Sequence, residues 1–185
     1  LTQYALPTYY IIQPAECSSN LARYEGIRYG NRAQTDNLID SYIKSRGDGF
    51  GAEVKRRIML GTYILSAGYY DAYYKKALAI KTAIFNEFEE VFKDVDVIAC
   101  PTSPSVAWDI DAKFNDPLTM YLSDVFTVTA NIAGIPAISV PCGFSKDGLP
   151  IGLQFMGASE KDGSVLQAAV AYQDKTDWHL KEIKS

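Results

Sequence analysis

The sequence predicts an α/β fold, a mixed β-sheet flanked by helices, and three observations carry that prediction. Segments with apolar residues every three or four positions alternate with short, nearly uninterrupted apolar runs. A Lys-Asp-Gly-Leu-Pro stretch joins two of those runs in the manner of a tight hairpin. Helical segments also precede and separate the runs, which defines an α/β chain rather than an all-helical one.

Residues 4–12, YALPTYYII, are rich in aromatic and β-branched residues and predict a strand or an extended approach to one. Pro14 then predicts a helix start, with Glu16 in the early turns and Cys17, Leu21 and Tyr24 on its apolar face. Glycines at 26, 30, 47, 49 and 51 interrupt the next stretch, predicting loops with one short helix around 34–44. From Glu53 the period is helical to about Gly68, with Val54, Ile58, Leu60, Tyr63 and Ile64 on a broad face and Met59 packed beside them. A longer helix follows from about Tyr70 to Val91, marked by Tyr73, Ala77, Ile80, Ile84 and Phe88. VDVIACPT reads as a buried strand stopped by Pro101 and Pro104, and residues 117–133 as a further helix. GIPAISVPCGF and IGLQFMG read as neighbouring strands turning at Asp147-Gly148. The last helix covers roughly 161–175, with Val165, Leu166, Ala169 and Tyr172 on one side.

The chain has 185 residues, enough for one domain or a large piece of a bigger one, and 48% of them are hydrophobic, which supports a packed core. A formal net charge of -4 disfavours general affinity for a nucleic-acid backbone, though a partner can supply the basic surface of a complex. Cys17, Cys100 and Cys142 are widely spaced and odd in number, as expected of free thiols in a reducing compartment. No apolar run approaches the roughly 20 residues that span a bilayer, so a cytoplasmic protein without membrane contact is expected. Leu1 opens the text mid-pattern, the expectation for an excised or processed fragment.

His179 is the single histidine and lies in a polar tail, which argues against a Ser-His-Asp triad, a Cys-His pair and a multi-histidine zinc centre. Gly47, Gly49 and Gly51 lack the lysine and the strand-to-helix setting of a phosphate loop, and read as a hinge or mobile loop. Ser18 and Ser19 sit in AECSSNLA without a glycine nest, so helix packing accounts for them. No cofactor or metal is expected in this chain. Arg56, Arg57 and Asp124 are different: an arginine fork suits a carboxylate and an aspartate suits an ammonium group, so together they fit an α-amino acid. An internal salt bridge, or two unrelated solvent-facing charges, fits the same residues.

AECSSNLARYEGIRYG, EVKRRIMLGTYILSAG, DVIACPTSP and ANIAGIPAISVPCGF followed by KDGLPIGLQFMG resemble, in order, the amidase-signature family. SSNLARYEGIRYG and EVKRRIMLGT resemble its tRNA-dependent branch, the A subunits of glutamyl-tRNA(Gln)/aspartyl-tRNA(Asn) amidotransferases. The resemblance runs from about Tyr4 to Trp178 and implies that residues 1–185 are the carboxy-terminal portion of a single amidase-signature α/β/α domain. It implies a glutaminase that supplies ammonia for converting Glu-tRNA(Gln) to Gln-tRNA(Gln). The catalytic serine, second serine and lysine of the family match no residue here, so the chain alone is expected to be inactive. Arg57, in preference to Arg56, is implied to hold the α-carboxylate of glutamine, Asp124 its α-ammonium, and Tyr9 or Tyr10 to line the pocket. Implied partners are the missing amino-terminal half, a B subunit that uses ATP and magnesium and carries most of the tRNA contact, and a small C subunit. The alternatives are another small-amide amidase and a non-enzymatic binding or scaffold domain.

Overall fold

The computed structural model describes residues 1–110, 112, 120 and 122–182. The chain divides into two compact units, Pro7–Ala79 on the one hand and Leu1–Leu6 with Ile80–Ser185 on the other.

The unit Pro7–Ala79 is built mainly on helices α1 (Ala5–Asn20), α2 (Leu38–Gly49) and α3 (Ala52–Ile64). The strand expected at 4–12 is instead the first half of α1. Ala5, Thr8, Ile12 and Ala15 are each no more than 5% exposed, and their spacing of three and four is a helical stripe. Burying that stripe outweighs the β-propensity of the tyrosine and isoleucine pairs. Pro14 lies inside α1 rather than at its start, where its ring has no N–H to offer the carbonyl four residues back.

Asn37, not residue 34, starts α2, because its side-chain oxygen accepts the Asp40 N–H at 2.9 Å. Gly47 and Gly49 stay helical to the end of α2, and Gly51 precedes the first residue of α3. Gly47 and Gly49 are therefore the end of a helix, in place of the expected loop. Gly61 sets the inward stripe of α3, since a Cβ there would land on the Pro14 carbonyl and 2.8 Å from Ser18 Cβ. Met59, Leu60 and Tyr63, expected to pack, lie off that stripe and are 73%, 47% and 53% exposed.

The long helix expected from Tyr70 begins as a π-helical turn, Tyr70–Tyr74, and continues as α4 (Lys75–Val91). Ala77, Ile84 and Phe88 are buried as anticipated, whereas Tyr73 is exposed.

The other unit holds a three-stranded antiparallel sheet in the order β1-β3-β2, formed by Val97–Pro101, Ala137–Phe144 and Pro150–Gly157. The expected turn closes β2 onto β3: Gly148 takes a φ of 80°, and the Ser145 N–H donates to the Leu149 carbonyl at 2.8 Å. Helix α5 (Val125–Ala133) is the described part of the helix expected over 117–133; residues 113–119 and 121 lie outside the described residues. Gly134, at φ 73°, caps α5 in the left-handed conformation ahead of Pro136. Helix α6 (Asp162–Gln173) packs Val165 and Ala169 onto Val140 and Phe155 of the sheet. Leu166, expected on the same side, is exposed, because one helical step turns it about 100° away from Val165. On the opposite face of the sheet, the buried Gln154 amide donates to the Phe126 carbonyl of α5 at 3.3 Å. Helices thus flank both faces, as the α/β prediction requires. Among the described residues no helix is long and apolar enough to cross a membrane.

Two glycine substitutions should act in opposite directions in urea unfolding. Gly61→Ala should destabilise by about 1–3 kcal/mol through overpacking against α1. Gly47→Ala, whose Cβ meets nothing within 4 Å inside a helix, should stabilise by about 0.5–1 kcal/mol.

Candidate functional site

Glu53 occupies the first turn of α3, where a carboxylate suits the positive end of the helix dipole. Three and four residues on, Arg56 and Arg57 fall on either side of it. Glu53 Oε1 accepts from Arg57 Nε at 2.8 Å, while Oε2 accepts from Arg56 Nε at 2.9 Å and Nη2 at 2.5 Å. The one carboxylate therefore separates the two cations. The Arg56 side chain stays 55% exposed, whereas that of Arg57 turns inward to 29%.

There Arg57 Nη1 donates to the Tyr9 hydroxyl of α1 at 3.4 Å. The Tyr10 ring stands edge-on to Tyr9 with centroids 5.1 Å apart. Of the two tyrosines left open by the sequence, Tyr9 is the one that reaches the guanidinium. An arginine has five N–H donors, and Glu53 and Tyr9 engage two. The other three have no partner among the described residues. The hydrogen bond it donates to Glu53 holds the Arg57 pKa above its ordinary value, partial burial opposes this, and the Tyr9 contact adds to it. The same bond from Arg57, then that from Arg56, holds the Glu53 carboxyl below the usual carboxylate range.

Asp124 belongs to the other unit and stands immediately before α5. Its carbonyl accepts the Val128 N–H at 2.8 Å and the Thr127 hydroxyl at 3.2 Å. Its side chain makes no capping hydrogen bond. Among the described residues its exposed carboxylate has no partner. Ser103, in the loop after β1, donates to the Ser123 carbonyl at 3.5 Å and so ties that loop to the turn carrying Asp124. The structure thus brings Arg57 and Tyr9 together within one unit and places Asp124 at a helix start in the other. Glu53 is the site residue that the sequence reading passed over, although the Glu-x-x-Arg-Arg spacing was there to be seen.

The Ser18 hydroxyl donates to the Ala15 carbonyl at 3.0 Å within α1, the helix-packing role expected of it. His179 is exposed in a 3-10 turn, Trp178–Leu180. The three cysteines are free thiols, and among the described residues no group of three His, Cys, Asp or Glu side chains is arranged to hold a metal.

Residues 1–166 match the Amidase family model, and the match spans both units. The chain belongs to the amidase family. It is 58% identical over 178 residues to the A subunit of the Thermodesulfovibrio yellowstonii glutamyl-tRNA(Gln) amidotransferase, covering 96% of this chain and 37% of that one. The corresponding protein from Chloroflexus aggregans, which carries the same name, is 58% identical over 180 residues, 97% of this chain and 37% of its own length. The crystal structure of the Thermotoga maritima protein of that name superposes with a TM-score of 0.68 at 41% identity, covering 100% of this chain and 36% of that one. The chain therefore spans little more than a third of the length of these relatives.

The depressed Glu53 pKa has a signed consequence. Its contribution to stability is complete above the unfolded carboxylate value and is lost as pH falls through the lower folded value. Unfolding of the parent chain and of Glu53→Gln should therefore differ by about 0.5 kcal/mol near neutrality, the size expected of a half-exposed pair. That difference should shrink towards zero as the pH drops below the normal carboxylate range.

Proposed function

We propose that residues 1–185 are the carboxy-terminal portion of a single amidase-signature domain, in the glutaminase subunit of a cytoplasmic tRNA-dependent amidotransferase. The observation that carries this is 58% identity, across 96% of the chain, to the A subunit of a glutamyl-tRNA(Gln) amidotransferase. The geometry at Arg57 supports it. Three open guanidinium N–H groups beside a tyrosine hydroxyl suit a carboxylate, which accepts a fork of donors.

On this reading Arg57 binds the α-carboxylate of glutamine, with Tyr9 lining the pocket, and the exposed Asp124 carboxylate accepts from the α-ammonium. Fixing a charged group of the amino acid narrows the directions open to its side-chain amide, which converts binding into orientation. A serine supplied from outside residues 1–185, activated by a second serine and a lysine, attacks the amide carbon. Ammonia leaves, and water then cleaves the acyl ester to glutamate. The ammonia serves a B subunit that uses ATP and magnesium to activate Glu-tRNA(Gln), with a small C subunit holding the pair. The tRNA contact falls mainly to the B subunit, which suits a chain of net charge -4.

Two measurements test this. The 185-residue chain alone should release no ammonia from glutamine; turnover that survives purification and tracks the chain would show a complete catalytic set here. In the assembled enzyme, Arg57→Ala should lower kcat/KM for glutamine by the equivalent of about 2–5 kcal/mol. Parallel assays with asparagine and aryl amides decide the substrate, since a general amidase would lose little with Arg57→Ala.

A further inference from the structure

We infer that Glu53 is a positioning residue for substrate recognition: it fixes the Arg57 guanidinium so that its Nη2 end, rather than its Nε edge, meets the amino-acid carboxylate. The inference rests on the glutamine reading above and adds to it a residue that never touches substrate.

Arginine is a long, flexible side chain, and an unrestrained guanidinium can present several donor edges. Here two anchors remove that freedom. Glu53 Oε1 takes Nε at 2.8 Å from one turn earlier on the same helix, and Tyr9 takes Nη1 at 3.4 Å from another helix. Both N–H groups of Nη2 and one of Nη1 remain, enough for a two-oxygen fork. The second carboxylate oxygen holds Arg56 on the solvent side, and the negative charge between the two cations offsets part of their repulsion. The three-residue cluster then carries one net positive charge, matched to one carboxylate.

Positioning and simple electrostatics predict opposite signs. Removing a carboxylate beside an arginine frees positive charge, which alone would lower KM for an anionic ligand. If Glu53 acts by positioning, its removal raises KM. The test is steady-state glutaminase kinetics of the assembled amidotransferase with Glu53→Gln, Glu53→Ala, Arg57→Ala and the Glu53→Gln/Arg57→Ala double variant. Glu53→Gln should raise KM for glutamine about threefold and Glu53→Ala about tenfold, with kcat changed by less than about twofold. In the Arg57→Ala background the Glu53 substitution should add nothing, because the effect travels through Arg57. An unchanged or lowered KM in the Glu53 variants, while Arg57→Ala raises it, overturns the inference and leaves the glutamine reading standing. Independent, additive losses also overturn it. If Arg57→Ala itself leaves kcat/KM for glutamine unchanged, the glutamine reading fails and this inference falls with it. Should Glu53→Ala not fold, the near-isosteric Glu53→Gln decides alone.

Discussion

The close approach of α1 to α3 at Gly61 is the constraint on which the candidate site depends. With no side chain at Gly61, the Pro14 carbonyl of α1 lies where a Cβ would stand. The helices run in register from that crossing: Pro14 meets Gly61, and about one turn earlier on each helix Tyr9 meets Arg57. Close packing of backbones is what brings a tyrosine hydroxyl within reach of a partly buried guanidinium. A larger residue at 61 would move the two helices apart, and the 3.4 Å contact is already long for a hydrogen bond. Pro14 contributes because it sits buried inside α1, with its carbonyl turned to the partner helix.

The sheet-bearing unit uses the same device. Gly152 on the central strand lets the Thr102 and Ser139 hydroxyls meet above it at 2.6 Å, joining the regions of β1 and β2 across β3. Gly157 leaves room for Val165 of α6, whose Cγ2 would lie 2.5 Å from a Cβ there. Gly134 then stops α5 cleanly, through the Gly134 and Ile135 N–H groups on the Ala130 carbonyl. With its C-terminal end held by that cap and its first turn held by Gln154, α5 keeps its start, and so Asp124, in a defined place within its unit.

Much of this was legible in the sequence, for identifiable reasons. Strand β1, the β2–β3 hairpin and helices α3, α4 and α6 announced themselves because period, length and turn chemistry agreed. Helix α1 did not, because local propensity and tertiary burial disagreed: Tyr9, Tyr10, Ile11 and Ile12 favour a strand, while the Ala5, Thr8, Ile12, Ala15 stripe wins only once it has something to pack on. The start of α2 was missed because Asn37, a cap, outranked the glycines that drew attention to the loop. Arg57 and Asp124 could be named from chemistry and resemblance. Which of Tyr9 and Tyr10 meets Arg57 could not, since neighbouring residues on a helix point about 100° apart and the crossing with α3 decides which hydroxyl reaches that guanidinium. Met59, Leu60 and Tyr63 are apolar yet exposed, and sequence hydrophobicity carries no sign of which side of a helix its neighbours occupy.

The first turns of α3 fit the positioning role inferred for Glu53 better than a role in holding the fold together. Two arginines within the first six residues of a helix oppose its dipole, which favours anions there. A half-exposed ion pair returns little stability, and an internal charge triad is no better than apolar residues as a source of it. A local rule broken at this position, and then repaired by one carboxylate that binds each arginine through a different oxygen, is the pattern expected where geometry matters more than stability. The repair is also asymmetric. Arg56 gives both of its donors in this cluster to Glu53 and stays towards solvent, while Arg57 gives one to Glu53 and one to Tyr9 as it turns inward.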